Sequence, residues 1–291
     1  MSARQVEANG LSLWTDSFGD PGDPAILLVM AAYWQAIAWP EQFCERLADN
    51  GFFVIRYDHR DTGLSSVVDY EQHPYTLADM ADDAIGVLDA YGIARAHLVG
   101  ASMGGMIVQE CLLAHPDRIS AATSMMSTPL SHSYASGTSG ENLPGPDQTA
   151  WKAFETVPGP GKNPTHDEYV DGWTDFSCGV AGSATPFDEQ YVRGMHSDSY
   201  RRATQPAAVW NHLQATAATP DRTDRLPGVR TPTLVIHGTE DHVIPVQHGH
   251  ATAELIPGAQ LVVIEGLGHQ FDPAALDLVT PSLLHHATAE K

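Results

Sequence analysis

Apolar runs alternate with helical patterns along most of the chain. The run at residues 25–30 is continuously apolar, as expected for a strand covered on both faces, and the mostly apolar runs at residues 52–57 and 96–100 are predicted to be strands as well. Helical patterns follow these runs at residues 40–49, 76–91 and 103–114. Strands separated by helices in this way are typical of a parallel sheet with helices on both faces. The pattern therefore predicts an α/β fold.

The two ends of the chain extend the same architecture. Residues 5–18 predict two short strands joined at Asn9-Gly10, a dipeptide typical of tight hairpin turns. Further strands are predicted at residues 119–126, 233–238 and 261–264, and further helices at residues 246–255 and 273–286. The sheet should therefore begin with a hairpin and continue as strands that alternate with helices.

The alternation stops between Ser127 and about Arg225. This segment is rich in proline, glycine and aromatic residues and has only short helical patterns. It is too aromatic for a disordered linker, so we expect an inserted helical cap over the sheet edge. The predicted organisation is a core domain of residues 1–126 and 226–291 and a cap domain of residues 127–225. The aromatic side chains could line a substrate pocket or form the cap's own small core.

Two polar segments stand out, a turn at residues 58–65 and the outer face of a helix at residues 76–91. In the turn at residues 58–65, Gly63 supplies a backbone conformation that other residues avoid. The helix at residues 76–91 should expose an acidic face formed by Asp79, Asp82 and Asp83. The turn at residues 58–65 could instead be a binding motif, but we expect it to be structural.

One serine lies in the turn between the strand at residues 96–100 and the next helix. The sequence Gly100-Ala101-Ser102-Met103-Gly104 fits Gly-x-Ser-x-Gly, the nucleophile elbow that presents a serine hydroxyl at the carboxyl end of an α/β-hydrolase sheet. Gly100 and Gly104 suit the turn because a Cβ atom would strike the neighbouring strand or helix. We therefore predict the α/β-hydrolase fold, with Ser102 as the nucleophile.

A serine hydroxyl becomes reactive when a base removes its proton and an acid orients that base. In this fold the acid and then the histidine follow the serine along the chain. Asp241, after the strand at residues 233–238, is the predicted acid. Glu240 is the alternative, but the Asp-x-x-x-Pro spacing to Pro245 lets the Asp241 carboxylate precede the next helix. His269, after the last strand, is the predicted base.

Two backbone N–H groups should hold the oxyanion that forms when the serine attacks a carbonyl. Met103 lies at the start of a helix, where its N–H points outward. The second donor should come from the loop after the first buried strand, from Ala31 or Ala32, and we assign Ala32. The alternative is that this loop is only a tight connection.

Histidine is abundant, with 15 residues in the chain. Four of them surround the predicted acid: His237, His242, His248 and His250. They lack the helical i,i+4 pairing with a nearby acid that zinc proteases use, and His248 and His250 would diverge on a helix. We therefore predict no metal, and nothing in the sequence indicates a cofactor.

Composition narrows the partners. The chain has 15 basic and 36 acidic residues, a formal charge of -21, and such a chain repels nucleic acid and anionic membranes. Three cysteines without a CxxC pair argue against disulfides and for a reducing compartment, with Cys111 expected in the core. No apolar run is long enough to span a bilayer, and the N-terminus has no apolar signal core. We predict a cytoplasmic protein whose partner is a small hydrophobic ester, with no nucleic-acid or membrane partner.

Several motifs together resemble the family of aclacinomycin methylesterase, an anthracycline-modifying α/β-hydrolase. They are Leu28-Val29-Met30, Trp39-Pro40, residues 56–63, residues 100–104, residues 143–146, residues 232–236 and Gly268-His269. The resemblance covers nearly the whole chain and is looser in the cap. It implies a serine hydrolase that cleaves a methyl ester of a bulky aromatic polyketide, with Ser102, Asp241 and His269 as the triad and Ala32 and Met103 at the oxyanion positions.

One loop departs from that family. Ala31-Ala32 stands where the family has glycines, and the bulky Tyr33 and Trp34 follow. These side chains should narrow the acyl pocket, and we expect Tyr33 and Trp34 to touch the ligand. A smaller or differently shaped ester is therefore an alternative substrate.

The leading functional hypothesis is hydrolysis of a carboxylic ester through an acyl-enzyme. The same triad could serve carbon–carbon bond hydrolysis, acyl transfer or perhydrolysis. A serine in the elbow argues against haloalkane dehalogenation, which uses an aspartate there. A non-catalytic ligand receptor on this scaffold is a third possibility, but it usually has a damaged triad, and this one is complete.

Overall fold

A computed structural model describes residues 3–138 and 142–289. The predicted core and cap segments also include residues 1–2, 139–141 and 290–291, which lie outside the described residues. The strands are β1 (Arg4–Ala8), β2 (Leu11–Phe18), β3 (Ala25–Val29), β4 (Phe53–Tyr57), β5 (Ala96–Ala101), β6 (Ile119–Met125), β7 (Thr233–Gly238) and β8 (Gln260–Ile264).

In this described part the strands form one 8-stranded sheet in the order β1-β2-β4-β3-β5-β6-β7-β8. Strand β2 runs antiparallel to β1 and β4, and the remaining pairs are parallel. The β1–β2 hairpin turns at Asn9-Gly10, where φ is 50° and 75°, as the dipeptide predicts. The prediction of a mostly parallel sheet is confirmed.

The α-helices cover this sheet. They are α1 (Glu41–Asp49), α2 (Leu77–Ala90), α3 (Met103–Ala114), α4 (His132–Ala135), α5 (Gln148–Phe154), α6 (His166–Gly179), α7 (Glu189–Arg202), α8 (Asn211–Ala218), α9 (Gln247–Leu255) and α10 (Pro273–Ala289). Short 3-10 helices lie at Ala36–Ala38, Pro116–Arg118, Pro206–Trp210 and Leu226–Gly228. Within residues 3–138 and 142–289, no helix is long and apolar enough to cross a membrane.

The core lies between the central strands and two groups of helices. Every residue of β3, β4 and β5 is buried, as their mostly apolar sequences predict, and Arg56 of β4 and His97 of β5 are buried with them. Helix α1 contacts α10 near β2, β4 and β7, whereas α2 contacts α3 near β1, β3, β5 and β6. This arrangement matches the predicted helices on both faces of the sheet.

The insertion between β6 and β7 contains helices α4 to α8 and, among its described residues, no strand. Its end is tied to its beginning by Arg222, whose side chain is fully buried. This guanidinium donates to Gln109 Oε1 at 2.9 Å, to Ser131 Oγ at 2.6 Å and to the carbonyl of Leu130 at 2.9 Å. Because these charge-assisted hydrogen bonds are buried, they fix both ends of the insertion on the core.

The turn at residues 58–65 has a structural role in the fold. Gly63 has a φ of +54°, and a Cβ atom there would lie 2.1 Å from Asp58 Oδ2. The Asp58 carboxylate accepts hydrogen bonds from the N–H groups of Ala36 at 2.8 Å and Leu64 at 3.0 Å, and it pairs with Arg202 of α7 at 2.8 Å. The requirement for glycine at position 63 is therefore confirmed.

The predicted acidic face of α2 is wrong at one position. Asp82 is exposed and Asp79 is half-buried, but Asp83 is only 1% exposed. Arg60 donates to both Asp83 oxygens at 2.7 Å, and Asn9 Nδ2 donates to Oδ1 at 3.0 Å. A carboxylate is retained in the interior when a partner of this kind satisfies it, and the pattern of α2 alone does not reveal that partner.

Candidate active site

Strand β5 delivers Ser102 to a strained turn. The residue has φ 55° and ψ −122°, and α3 begins immediately after it. A Cβ atom on Gly100 would lie 2.2 Å from the Gly104 carbonyl oxygen, and one on Gly104 would lie 2.1 Å from the Val29 carbonyl oxygen. Both predicted glycine requirements are therefore confirmed. Strain held by close contacts of this kind is a feature of functional turns.

The loops after β7 and β8 bring Asp241 and His269 together. His269 Nδ1 lies 2.8 Å from Asp241 Oδ2, and both side chains are buried. The other carboxylate oxygen accepts the N–H groups of Val243 at 3.0 Å and Ile244 at 2.8 Å. Glu240, the alternative acid, instead accepts from Ser183 N–H and Oγ at 2.8 Å. Asp241 is therefore the carboxylate that can orient the imidazole.

A second histidine also faces this carboxylate. His237 Nε2 lies 2.7 Å from the Ile244 carbonyl oxygen and 3.4 Å from Asp241 Oδ2. Burial raises the pKa of Asp241, but the charges and hydrogen bonds of His269 and His237 outweigh burial and hold that pKa below its ordinary value. Asp241 is therefore ionised at neutral pH and can stabilise a protonated imidazole.

Ser102 and His269 line the same small cavity, of about 50 Å³. Its other lining residues are Ala31, Ala32, Tyr33, Trp34, Phe154, Trp173, Phe176, Val243 and Phe271. The backbone beside His269 is held by its N–H, which donates to the Val180 carbonyl oxygen at 2.9 Å. The structure thus places the predicted nucleophile and base on one enclosed, largely aromatic surface.

Ser102 also lines a second, larger cavity of about 810 Å³. Its apolar and aromatic wall includes Met106, Tyr134, Trp151, Phe154, Trp210 and Leu213. Tyr33 borders both cavities, whereas Trp34 borders the small one, with its ring 5.1 Å from that of Phe271. The serine therefore stands where a narrow space meets a wide one.

The predicted oxyanion donors flank Ser102. Ala32 borders both cavities and Met103 borders the larger one. Neither the Ala32 N–H nor the Met103 N–H donates to another described residue, and Met103 occupies the N-terminus of α3. Ala31 borders the small cavity alone. Two N–H groups are thus free to bind a charged oxygen beside the serine.

The cap aromatics both line the cavities and fill the cap. Trp151, Phe154 and Trp210 border the large cavity. Tyr169 instead lies in the cap interior, with its ring 6.3 Å from Trp173 and 5.4 Å from Tyr200. The short helical patterns of this segment do not separate these two sets, because helix-to-helix contacts decide which side chains face the cavity.

Two of the other histidines near the predicted acid, His242 and His248, have side-chain partners in the protein. His242 lies 2.7 Å from Asp147 Oδ2, and His248 Nδ1 lies 2.7 Å from Thr128 Oγ1. Over residues 3–138 and 142–289, no group of three or more His, Cys, Asp or Glu side chains is placed to hold a metal ion. Here these histidines connect parts of the fold.

Four buried histidines should make the free energy of unfolding depend on pH. Burial lowers their pKa from 6.5 to about 3 for His59, His97 and His196 and to about 4 for His212. Below pH 6.5 the unfolded state therefore binds more protons than the folded state, so the free energy of unfolding falls by about 1.4 kcal/mol per pH unit for each histidine.

Three buried carboxyls offset part of this loss, because burial raises the pKa of Asp58, Asp61 and Asp83. Urea unfolding between pH 7.5 and pH 4.5 tests the net effect. We expect the midpoint to fall steadily from about pH 6.5 downward. A midpoint that stays constant or rises over this range would contradict the assignment of neutral, buried histidines.

Residues 33–271 match the family described as alpha/beta hydrolase fold. The chain belongs to this α/β-hydrolase family. The sequence is 32% identical over 99% of both chains to rhodomycin D methylesterase DauP of Streptomyces sp. strain C5. It is also 32% identical over 99% of both chains to rhodomycin D methylesterase DnrP of Streptomyces peucetius.

A solved structure with the same fold is the esterase EaEST of Exiguobacterium antarcticum. Its TM-score is 0.77 at 21% identity, with 99% of this chain and 100% of that chain covered. The expected resemblance to a methylesterase of this fold is thus confirmed, and so is the predicted class, an ester hydrolase of the α/β-hydrolase fold.

Proposed function

We propose that the chain is a serine hydrolase that cleaves esters of a small alcohol with a bulky, largely apolar acid. Ser102 is the nucleophile, His269 the general base and acid, and Asp241 the carboxylate that orients the imidazole. The observation that carries this proposal is the position of Ser102 between a cavity of about 50 Å³ that His269 borders and one of about 810 Å³.

The proposed reaction has two halves. His269 takes the proton of Ser102 Oγ as this oxygen attacks the ester carbonyl, and the ionised Asp241 stabilises the imidazolium. The tetrahedral oxyanion is held by the N–H groups of Ala32 and Met103. Collapse releases the alcohol, which takes its proton from His269. Water activated by the same imidazole then hydrolyses the acyl-enzyme and releases the acid.

Proton transfer fixes which side of the ester enters which cavity. The leaving oxygen must reach His269, and His269 borders the small cavity. One water needs about 10–15 Å³ of such volume, so about 50 Å³ admits only about three to five heavy atoms. The alcohol part is therefore small, with methanol or ethanol as the best fit.

The acid part lies in the large cavity. About 810 Å³ is within the range of pockets that enclose drug-sized ligands. Tyr33, Trp151 and Trp210 offer aromatic faces to a planar ligand there. The two Streptomyces relatives are named for rhodomycin D, and we propose a methyl ester of a polycyclic aromatic acid for this chain as well.

The cap supplies much of both cavities. Tyr134, Trp151, Phe154 and Trp210 come from residues 127–225, whereas the triad comes from the remainder of the chain. We therefore propose residues 127–225 as a substrate-binding cap domain on a catalytic core of residues 1–126 and 226–291. Tyr33 and Trp34 are the proposed core contacts to the ligand.

The cysteines and the net charge are the basis for proposing a cellular compartment and for excluding nucleic acid as a partner. Cys44 and Cys111 are buried, burial raises the pKa of the Cys44 thiol to about 12, and Cys178 is exposed without a disulfide. Three cysteines without a disulfide support a reducing, cytoplasmic compartment. The net charge of the chain, -21, supports the absence of a nucleic-acid partner.

A series of alkyl esters of one polycyclic aromatic acid tests the orientation. We expect kcat/KM to fall about 10-fold to 100-fold from the methyl to the butyl ester, because the added methylenes overfill the small cavity. Phe176→Ala, which enlarges that cavity, should restore part of the butyl-ester activity.

Trp151→Ala is the matched control, since this side chain borders the large cavity and is 59% exposed. It should leave the methyl-to-butyl ratio unchanged. Equal turnover of methyl and butyl esters by the unmodified protein would refute the proposed orientation.

A further inference from the structure

The loop that carries the proposed second oxyanion donor is held in an unusual conformation. It runs from Met30 to Tyr33, between β3 and the 3-10 helix at Ala36–Ala38. Tyr33 has a φ of +70°, a left-handed conformation that is rare for a residue with a large side chain. Such a conformation persists only when its surroundings over-determine it. The contacts of Tyr33 therefore show what keeps Ala32 in place.

A cap histidine binds the backbone of Tyr33. His212, in α8, is completely buried, and its Nδ1 accepts the Tyr33 N–H at 3.2 Å. Its Nε2 lies 2.9 Å from the Arg60 carbonyl oxygen and must donate to it, so the proton is on Nε2 and the lone pair on Nδ1. Burial lowers the pKa of His212 to about 4, which keeps the ring neutral and Nδ1 an acceptor at neutral pH.

The other end of the loop is bound by a second buried histidine. His59 Nε2 lies 2.9 Å from the Met30 carbonyl oxygen, and its ring stands edge-on to that of His212 at 5.9 Å. The loop also has no free space behind it, because Gly104 lies against the carbonyls of Val29 and Met30. Ala32 therefore lies between two backbone groups that are held by histidines, the Met30 carbonyl and the Tyr33 N–H.

We propose that His212 is a positioning residue of the oxyanion hole: by accepting the Tyr33 N–H, the cap aims the Ala32 N–H at the reacting carbonyl oxygen. The inference rests on the proposed function, in which Ala32 is an oxyanion donor. It adds that the core alone does not complete the catalytic site, because α8 of the cap supplies the acceptor. The oxyanion hole therefore has its correct geometry only when the cap is packed against the core.

The side chain of Tyr33 also contacts the cap. Its ring centroid lies 4.9 Å from that of Trp210 and 5.8 Å from that of Trp173, both in the cap. Ring contacts tolerate rotation of the peptide group, whereas a hydrogen bond to the N–H directly restrains φ of Tyr33. The His212 contact is therefore the one that sets the direction of the neighbouring Ala32 peptide.

Three substitutions separate this role from simple core packing. His212→Asn places a carbonyl oxygen close to the position of Nδ1 and keeps an acceptor for Tyr33. His212→Gln places its amide close to the position of Nε2 and keeps the donor to Arg60. His212→Leu removes both.

His97→Leu is the matched control. His97 is a buried histidine whose pKa burial also lowers, to about 3, and its Nε2 lies 2.8 Å from Thr123 Oγ1. It lies near the start of β5, five residues before Ser102 and about 16 Å away along the strand. Loss of this side chain should lower the melting temperature and leave kcat within twofold of the unmodified protein.

The measurements are kcat and KM for a methyl ester and the rate constant for labelling by a fluorophosphonate, whose P=O oxygen also requires the oxyanion hole. We expect His212→Leu and His212→Gln to lower kcat and the labelling rate by about 100-fold with KM within threefold, since a misplacement of about 1 Å costs about that much. His212→Asn should recover at least tenfold of the loss.

Equal kcat values for the Asn and Gln variants, or a change confined to KM, would overturn the inference. If the Leu variant does not fold, the Asn and Gln pair decides alone. Failure of the proposed function has a different signature, because the unmodified protein would then not be labelled at all. A labelled parent with an equally labelled His212→Gln variant refutes only the role of His212.

Discussion

Ser102→Ala and His269→Ala are each expected to lower kcat for ester hydrolysis by about 10⁴-fold to 10⁶-fold. Alanine at position 102 removes the atom that attacks the carbonyl, and alanine at position 269 removes the base that activates this atom. Because the two side chains act as one unit, the double variant should be no slower than either single variant. Asp241→Asn should cost about 10⁴-fold, because the His269 imidazole is then held in the wrong tautomer.

Steady-state hydrolysis of a p-nitrophenyl ester measures these losses, with circular dichroism to verify folding. Glu240→Gln is the matched control for the acid, because Glu240 is bound to Ser183 and not to His269. This control should retain kcat within about threefold, because the half-buried Glu240 carboxylate does not orient the imidazole. Retained activity in any of the three triad variants would show that its residue is misassigned.

Gly104→Ala is expected to lower the free energy of unfolding strongly, although alanine has the higher helix propensity. Replacing a helical glycine by alanine ordinarily stabilises a protein by up to about 1 kcal/mol. At position 104, however, the new Cβ would lie 2.1 Å from the Val29 carbonyl oxygen, and backbone atoms cannot turn aside. We expect a loss of about 3 kcal/mol in the free energy of unfolding, at the upper end of overpacking effects.

Urea unfolding of the variant measures this loss, and activity should fall with it because β3 and the elbow are forced apart. Gly194→Ala, in α7, is the control, because a Cβ at that exposed position meets nothing within 4 Å. The control should unfold at an equal or higher urea concentration. If Gly104→Ala is as stable as the unmodified protein, α3 does not approach β3 as closely as described here.

Local patterns suffice to predict most of the sheet. The strand before the elbow, the Asn9-Gly10 hairpin and Gly100 depend on neighbours in the chain, so short stretches of sequence predict them. Gly104 lies against the distant Val29 carbonyl and is predicted only because the Gly-x-Ser-x-Gly motif includes it. The order of serine, acid and histidine also follows, since the fold places consecutive strand ends along one edge of the sheet. The roles of Ser102, Asp241 and His269 remain predictions until activity is measured.

Contacts between distant segments could not be predicted. Asp83 was expected to be exposed, because nothing in α2 reveals that Arg60 pairs with it. In the same way, His212 reaches the Tyr33 backbone across 179 positions of sequence, and no local pattern marks either residue. The cap is the extreme case, because its short helices acquire their cavity-lining faces only by packing on one another and on the core.

Covalent labelling can identify the reacting nucleophile, which we propose is Ser102. The protein is incubated with a fluorophosphonate at pH 7.5, and the mass of the intact chain and of its proteolytic peptides is measured. We expect a single adduct on Ser102 and no adduct in Ser102→Ala. An unlabelled protein, or an adduct on another residue with Ser102 unmodified, would contradict this proposal.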